Sequence, residues 1–118
     1  MSFITIFFAT LVAFEHLYIM YLETFATQSD ATSRVFSTDK EELSRSSVDS
    51  LFKNQGVYNG LIGIFLLYSL WIAHSVELVT AFLLYVVIVA IYGALTVDKK
   101  ILLKQAGLAI LALLSLLL

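Results

Sequence analysis

The sequence contains no cysteine and no proline. Without cysteine, the chain has no disulfide, no thiolate metal site and no cysteine nucleophile. Without proline, it lacks one of the residues that interrupt the broken helices of many transporters. Charged residues are scarce too, at 14% of the 118 residues, against about 25% in an average soluble domain.

Apolar residues are in excess. They make up 60% of the chain, compared with about 45–50% in soluble domains, and the mean hydropathy is +0.94. Because a chain of this size buries only about two-thirds of its surface on folding, the excess predicts that a lipid bilayer is the main partner. The net charge of −2 and the seven basic residues do not favour nucleic-acid binding.

Four apolar stretches predict an all-α fold, an integral membrane bundle of four transmembrane helices in a single domain. Each stretch approaches the ~20 residues that cross the hydrocarbon core. A short polar bend after the second stretch predicts a tight helical hairpin. The predicted spans are residues 2–26, 56–74, 78–97 and 101–118.

The only long connection, residues 27–55, is polar. Thr38 and Glu41 have the spacing of a capping box, ahead of apolar residues at helical intervals. We therefore expect a short amphipathic helix at the membrane interface between the first and second spans. The alternative is a solvated loop with one helical turn.

All lysines and arginines lie in the first and third connections or directly beside them. The positive-inside rule places these connections on the cytoplasmic side. We therefore predict a multi-pass protein of the cell membrane with both termini outside and residues 27–55 and 98–100 in the cytoplasm. The basic residues are Arg34, Lys40, Arg45, Lys53, Lys99, Lys100 and Lys104.

Ionisable residues interrupt the first span. Glu15, His16 and Glu23 fall within one helical arc of about 100°, and the two carboxylates are about 12 Å apart along the axis. A charged group near the bilayer centre costs about 2.5–3.5 kcal/mol on insertion scales and usually faces the bundle interior. A signal peptide would have a basic start and an uninterrupted apolar run, so we expect this segment to be retained.

Polar residues of the other spans are expected at the depth of Glu23. These are Gln55, Asn59, Tyr92 and Gln105. They predict a polar pocket that opens to the cytoplasm, with Glu15 and His16 at its floor. Alternatively, Glu23 snorkels to water, and the amides only bridge helices.

Two glycines of the second span, Gly56 and Gly60, have the spacing that allows helices to approach closely. They serve helix packing, or they bring Asn59 against a ligand. Paired Glu-x-x-His motifs of di-metal bundles are absent. We predict no metal and no cofactor, and we assign no catalytic residue.

Four segments together resemble the family of small membrane proteins called domain of unknown function 1304. The resemblance implies four membrane helices and no established activity, and it coincides with the predicted pocket, to which it adds Tyr58. The segments are Glu15-His16-Leu17-Tyr18 with Tyr21-Leu22-Glu23-Thr24-Phe25, Asn54-Gln55-Gly56-Val57-Tyr58-Asn59-Gly60, Ile91-Tyr92-Gly93, and Ile101-Leu102-Leu103-Lys104-Gln105.

The favoured function is the binding or transport of a small solute, a cation or a proton by a buried glutamate, for which Glu15 is the first candidate, with two copies forming a homodimer for a complete pathway. One alternative is a membrane-embedded enzyme that acts on a lipid or other apolar substrate, with Glu15 and His16 as acid and base. Another is a non-catalytic accessory or scaffold subunit. We leave open whether the chain is an enzyme, and we favour a role without catalysis.

Overall fold

The computed structural model describes all 118 residues, and its regular structure is entirely helical, which confirms the predicted all-α class. The helices are α1 (Phe3–Met20), which continues as a π-helical turn (Tyr21–Phe25), α2 (Asp30–Phe36), α3 (Lys40–Leu43), α4 (Ser46–Trp71), α5 (Val76–Thr96) and α6 (Lys100–Ser115). The chain forms two compact units, one of Met1–Ala13 with Phe65–Leu118 and one of Phe14–Ile64.

The first unit, Met1–Ala13 with Phe65–Leu118, has a narrow core of small and branched side chains. On α5 the buried residues recur every three or four positions, which is the spacing of one helical face. Helix α6 packs against α5 and buries mainly alanines, whose small side chains allow close approach. The buried residues of these two helices are Val79, Leu83, Val86 and Ala90, and Ala106, Ala109, Ala112 and Ser115.

Two hydrogen bonds between side chains connect α1 to later helices in this unit. The hydroxyls of Thr5 and Ser115, both buried, are 2.6 Å apart. The indole Nε1 of Trp71 donates to Thr10 Oγ1 at 3.2 Å. Hydroxyl groups can therefore join helices whose other contacts are apolar.

The bend between α4 and α5 is as short as predicted, and it occupies residues 72–75. His74 has a left-handed backbone with φ of 49°, which breaks the helical path. Ser75 then caps α5, because its hydroxyl accepts a hydrogen bond from the N–H of Leu78 at 3.1 Å.

Large apolar side chains cover the outer faces of the long helices. On α5 the exposed residues include Ile88 and Leu95, and the side chain of Leu95 is 82% exposed. Two helices, Phe3–Phe25 and Val76–Thr96, are long and apolar enough to cross a membrane. Helix α6 has 16 residues, and α4 begins ten residues before its predicted apolar span.

The second unit, Phe14–Ile64, includes most of the connection between the first two predicted spans, and this connection is folded. Ser29 caps α2 by accepting a hydrogen bond from the N–H of Thr32 at 3.2 Å. Leu43 is fully buried, and the rings of Phe36 and Phe52 meet edge to face at 5.3 Å. A small core therefore holds α2, α3 and the start of α4 together.

The expectation of one short amphipathic helix after a capping box at Thr38 was wrong. The connection contains two short helices, and Leu51 and Phe52 lie on the long helix α4. Helix α3 begins after Asp39 without a side-chain cap, and the Thr38 hydroxyl donates instead to the carbonyl of Phe36 at 3.0 Å. Hydroxyl side chains often bond to nearby backbone groups in this way, which competes with capping.

Candidate functional site

Glu23 lies in the middle of the π-helical turn that ends the first helix. Its side chain is 5% exposed, and it is the only buried acidic residue of the chain. The wider turn is completed where the N–H of Ala26 donates to the carbonyl of Tyr21 at 2.9 Å. Short π-helical insertions occur frequently at functional sites, which makes this turn a candidate.

Two threonines satisfy the carbonyls at this helix end. Thr27 Oγ1 donates to the carbonyl of Glu23 at 2.7 Å. Thr32 Oγ1 lies 3.0 Å from the carbonyl of Leu22 and 2.7 Å from that of Ala26. The last carbonyls of a helix have no partner within the helix, so these hydroxyls stabilise the turn that carries Glu23. Neither threonine is among the residues predicted for the site.

The carboxylate of Glu23 is bound by an amide from another helix. Asn59 of α4 donates through Nδ2 to Glu23 Oε1 at 2.7 Å. None of the three ion pairs of the protein includes Glu23. Glu23 is therefore a nearly buried acid that has a hydrogen-bond donor but no cation beside it. Removing a carboxylate from water costs free energy unless the carboxylate is paired or becomes protonated.

Glycines on α4 allow this contact. A Cβ at Gly60 would overlap the sulfur of Met20, and one at Gly56 would overlap the hydroxyl of Thr24 and lie 3.0 Å from the Thr24 backbone nitrogen. The same hydroxyl donates to the carbonyl of Lys53 at 2.9 Å. Helix α4 therefore lies directly against the first helix and its π-helical turn, as the glycine spacing predicted.

The other predicted pocket residues are placed differently. In the second unit, Glu15 and His16 are half-buried on α1, while Gln55 and Tyr58 are exposed on α4. Tyr92 and Gln105 belong to the first unit, where both side chains are exposed. Their part in a ligand pocket stays a prediction.

No group of three or more histidine, aspartate or glutamate side chains in the chain could hold a metal ion. The arrangement at Glu23 offers one carboxylate and one amide, which is too few ligands for a bound metal. It can hold a proton or form one charge-assisted hydrogen bond.

Comparison with known proteins assigns the chain to a family. The family described as protein of unknown function (DUF1304) matches residues 10–117. The chain belongs to this family. It is also similar to the uncharacterized protein YpaA of Lactococcus lactis subsp. lactis (strain IL1403), with 59% identity over 116 residues that cover 98% of each chain. No solved structure matches it.

A double-mutant cycle tests the contact between Glu23 and Asn59. We expect Glu23→Ala and Asn59→Ala to show a coupling energy of about 1 kcal/mol, within the range that such cycles give for hydrogen bonds in membrane proteins. The free energy of unfolding in detergent micelles is the measurement. Asn54→Ala is the matched control, because Asn54 is an exposed amide on the same helix. A coupling energy for Asn59 no larger than that for Asn54 would contradict the assignment.

Alanine substitutions test the close approach of α4. Gly56→Ala should lower the free energy of unfolding by about 1–3 kcal/mol, as overpacking does. Gly60→Ala should lower it less, since it meets the flexible end of Met20. Gly107→Ala is the control, because a Cβ there meets nothing within 4 Å. Equal stability of the Gly56 and Gly107 variants would show that the contact at Gly56 is unimportant.

Proposed function

We propose that the chain is an integral membrane protein with four spans carried by α1, α4, α5 and α6. The support is the pair of helices of spanning length and the apolar side chains on the outer faces of all four. Such faces are unfavourable in water but suit lipid. Exposed examples are Phe7 and Leu11 on α1, Leu61 and Phe65 on α4, Leu84 and Ile88 on α5, and Leu103 and Leu111 on α6.

The proposed orientation follows the basic residues. Seven lysines and arginines surround the first and third connections, which the positive-inside rule places in the cytoplasm. The bend at residues 72–75 then lies outside, close to Trp71, whose amphipathic ring suits an interface.

In this membrane-spanning bundle, the proposed activity is the reversible binding of a proton by Glu23, as one step in the movement of a proton or small cation across the membrane. The observation that carries it is a nearly buried carboxylate that receives one amide hydrogen bond and has no cation beside it. A shielded carboxyl group can load and release a proton, which coupled transport requires.

The bond to Asn59 suits both states of this carboxyl group. Oε1 accepts from the amide, which leaves Oε2 to carry the exchangeable proton. Because Oε1 can accept a hydrogen bond in the ionised and in the protonated form, Asn59 can hold the side chain in place while the proton arrives and leaves.

A single chain of 118 residues has little interior, so we propose that two copies form the complete pathway. Glu15 and His16, half-buried on the same helix, are candidates for the next proton-binding step. No observation favours the enzyme or scaffold alternatives over this proposal.

Single-cysteine labelling tests the orientation, because the natural chain has no cysteine. Ala73→Cys and Ser50→Cys each introduce one thiol at an exposed position. In intact cells, a membrane-impermeant maleimide should label Ala73→Cys and should label Ser50→Cys only after permeabilisation. Labelling of both from outside, or the reverse pattern, would contradict the proposed topology.

Proton flux tests the role of Glu23. Vesicles that contain the protein and an internal pH-sensitive dye should respond to an imposed gradient, and Glu23→Gln should reduce the response to that of protein-free vesicles. Glu41→Gln is the matched control, because it makes the same change at an exposed carboxylate outside every ion pair. Circular dichroism checks that the variants are folded.

Two results of this experiment would overturn the proposal. One is wild-type vesicles as tight as protein-free vesicles. The other is flux that survives Glu23→Gln and disappears in Glu15→Gln, which would move the proton-binding role to Glu15.

A further inference from the structure

An open cleft of about 330 Å³ lies in the second unit, directly after the π-helical turn. It is separate from the carboxylate of Glu23, which does not line it. One wall is formed by consecutive residues of the chain and the other by two charged residues of α4. The lining residues are Phe25, Ala26, Thr27, Gln28, Ser29, Asp49 and Lys53.

The cleft presents one negative and one positive group side by side. Lys53 Nζ donates to Asp49 Oδ2 at 2.5 Å, and Gln28 Nε2 donates to Asp49 Oδ1 at 3.1 Å. The hydrogen bond from Lys53, and to a lesser extent that from Gln28, holds the pKa of Asp49 below its usual range. Asp49 is therefore an anion at neutral pH. The ammonium of Lys53 uses one of its three donors on Asp49, which leaves two for a ligand.

The chain segment on the other wall has free donors of its own. The backbone N–H groups of Thr27 and Gln28, two residues that line the cleft, donate to no backbone carbonyl. Successive free N–H groups beside a cation are typical of sites that bind phosphate. An anion alone would also meet the charge of Asp49, whereas a ligand with a phosphate and an ammonium group would match both charges.

The position of the cleft indicates where such a ligand comes from. Phe25 is the last residue of a helix of spanning length, and this residue is 72% exposed and lines the cleft. The end of a helix that crosses the hydrocarbon core lies close to the level of the lipid head groups. In the proposed topology this is the cytoplasmic surface of the membrane.

We propose that the cleft binds the head group of an ethanolamine phospholipid. The phosphate lies against Lys53 and the free N–H groups of Thr27 and Gln28, and the primary ammonium donates to Asp49. A trimethylammonium head group has no N–H to donate, and a glycerol head group has no positive charge. This inference rests on the proposed membrane location and is independent of proton binding at Glu23.

Retained lipid is the direct measurement. The full chain is placed in nanodiscs of phosphatidylcholine with equal minor amounts of phosphatidylethanolamine and phosphatidylglycerol, and native mass spectrometry identifies the lipids that stay bound. We expect enrichment of phosphatidylethanolamine, and a decrease of about fivefold in that enrichment in Lys53→Gln, since a charge-assisted hydrogen bond is lost.

The chain offers a matched control for the loss of an ion pair. Lys40→Gln breaks the pair with Asp30, at 2.9 Å in the same unit but outside the cleft, and should leave the enrichment unchanged. Asp49→Asn keeps the positive charge of Lys53 and removes the carboxylate, which is the proposed partner of the lipid ammonium and the ion-pair partner of Lys53. It should therefore erase the preference for phosphatidylethanolamine over phosphatidylglycerol while some phosphatidylglycerol is retained.

Three outcomes would overturn the proposal. They are an absence of enrichment in the wild type, an equal loss in the Lys40 and Lys53 variants, and full displacement of the lipid by soluble glycerophosphoethanolamine, which would indicate a soluble phosphodiester ligand. Proton flux in the Lys53→Gln variant separates the two proposals, because it should persist whether or not lipid is bound.

Discussion

The second unit depends on the close approach of α4 to the end of the first helix. Gly60 admits the side chain of Met20, and Gly56 admits Thr24 and the backbone around it. At that separation the amide of Asn59 reaches the carboxylate of Glu23 at 2.7 Å. A side chain on Gly56 would push the helices apart, because it would meet the backbone nitrogen of Thr24, whereas one on Gly60 would meet the flexible side chain of Met20. The proposed proton site is therefore a consequence of backbone packing.

The charged groups of the second unit divide into two kinds. In the polar connection, Lys40 pairs with Asp30 and Lys53 with Asp49, and these groups remain largely or partly exposed. Such surface pairs contribute little to stability, but the second one lies in the proposed lipid site. Glu23 is the opposite case, since it is nearly buried and has only an amide partner. Glu23 is therefore a nearly buried acid without a counter-charge, and binding of a proton would neutralise it.

The sequence predicted the helical class, the four long helices to within a few residues at most ends, and the glycine contact. Matching depths along the predicted spans also placed Glu23 and Asn59 at one level, where they are bonded. It missed the π-helical turn, the two short helices and the start of α4 at Ser46. The end of the π-helical turn involves the hydroxyls of Thr27 and Thr32, and a hydroxyl can bond to several nearby carbonyls, which sequence alone does not rank.

The order of residues is enough to show that the chain is helical and mostly apolar, because the length and hydropathy of a helical segment are properties of consecutive residues. It also determined where the charges fall along the chain. Which carboxylate is buried is visible only in the folded chain, since Glu15 and Glu23 both lie on one helix with similar apolar neighbours. Burial depends on what packs against each residue, and at Glu23 a glycine-lined helix supplies an amide across the contact.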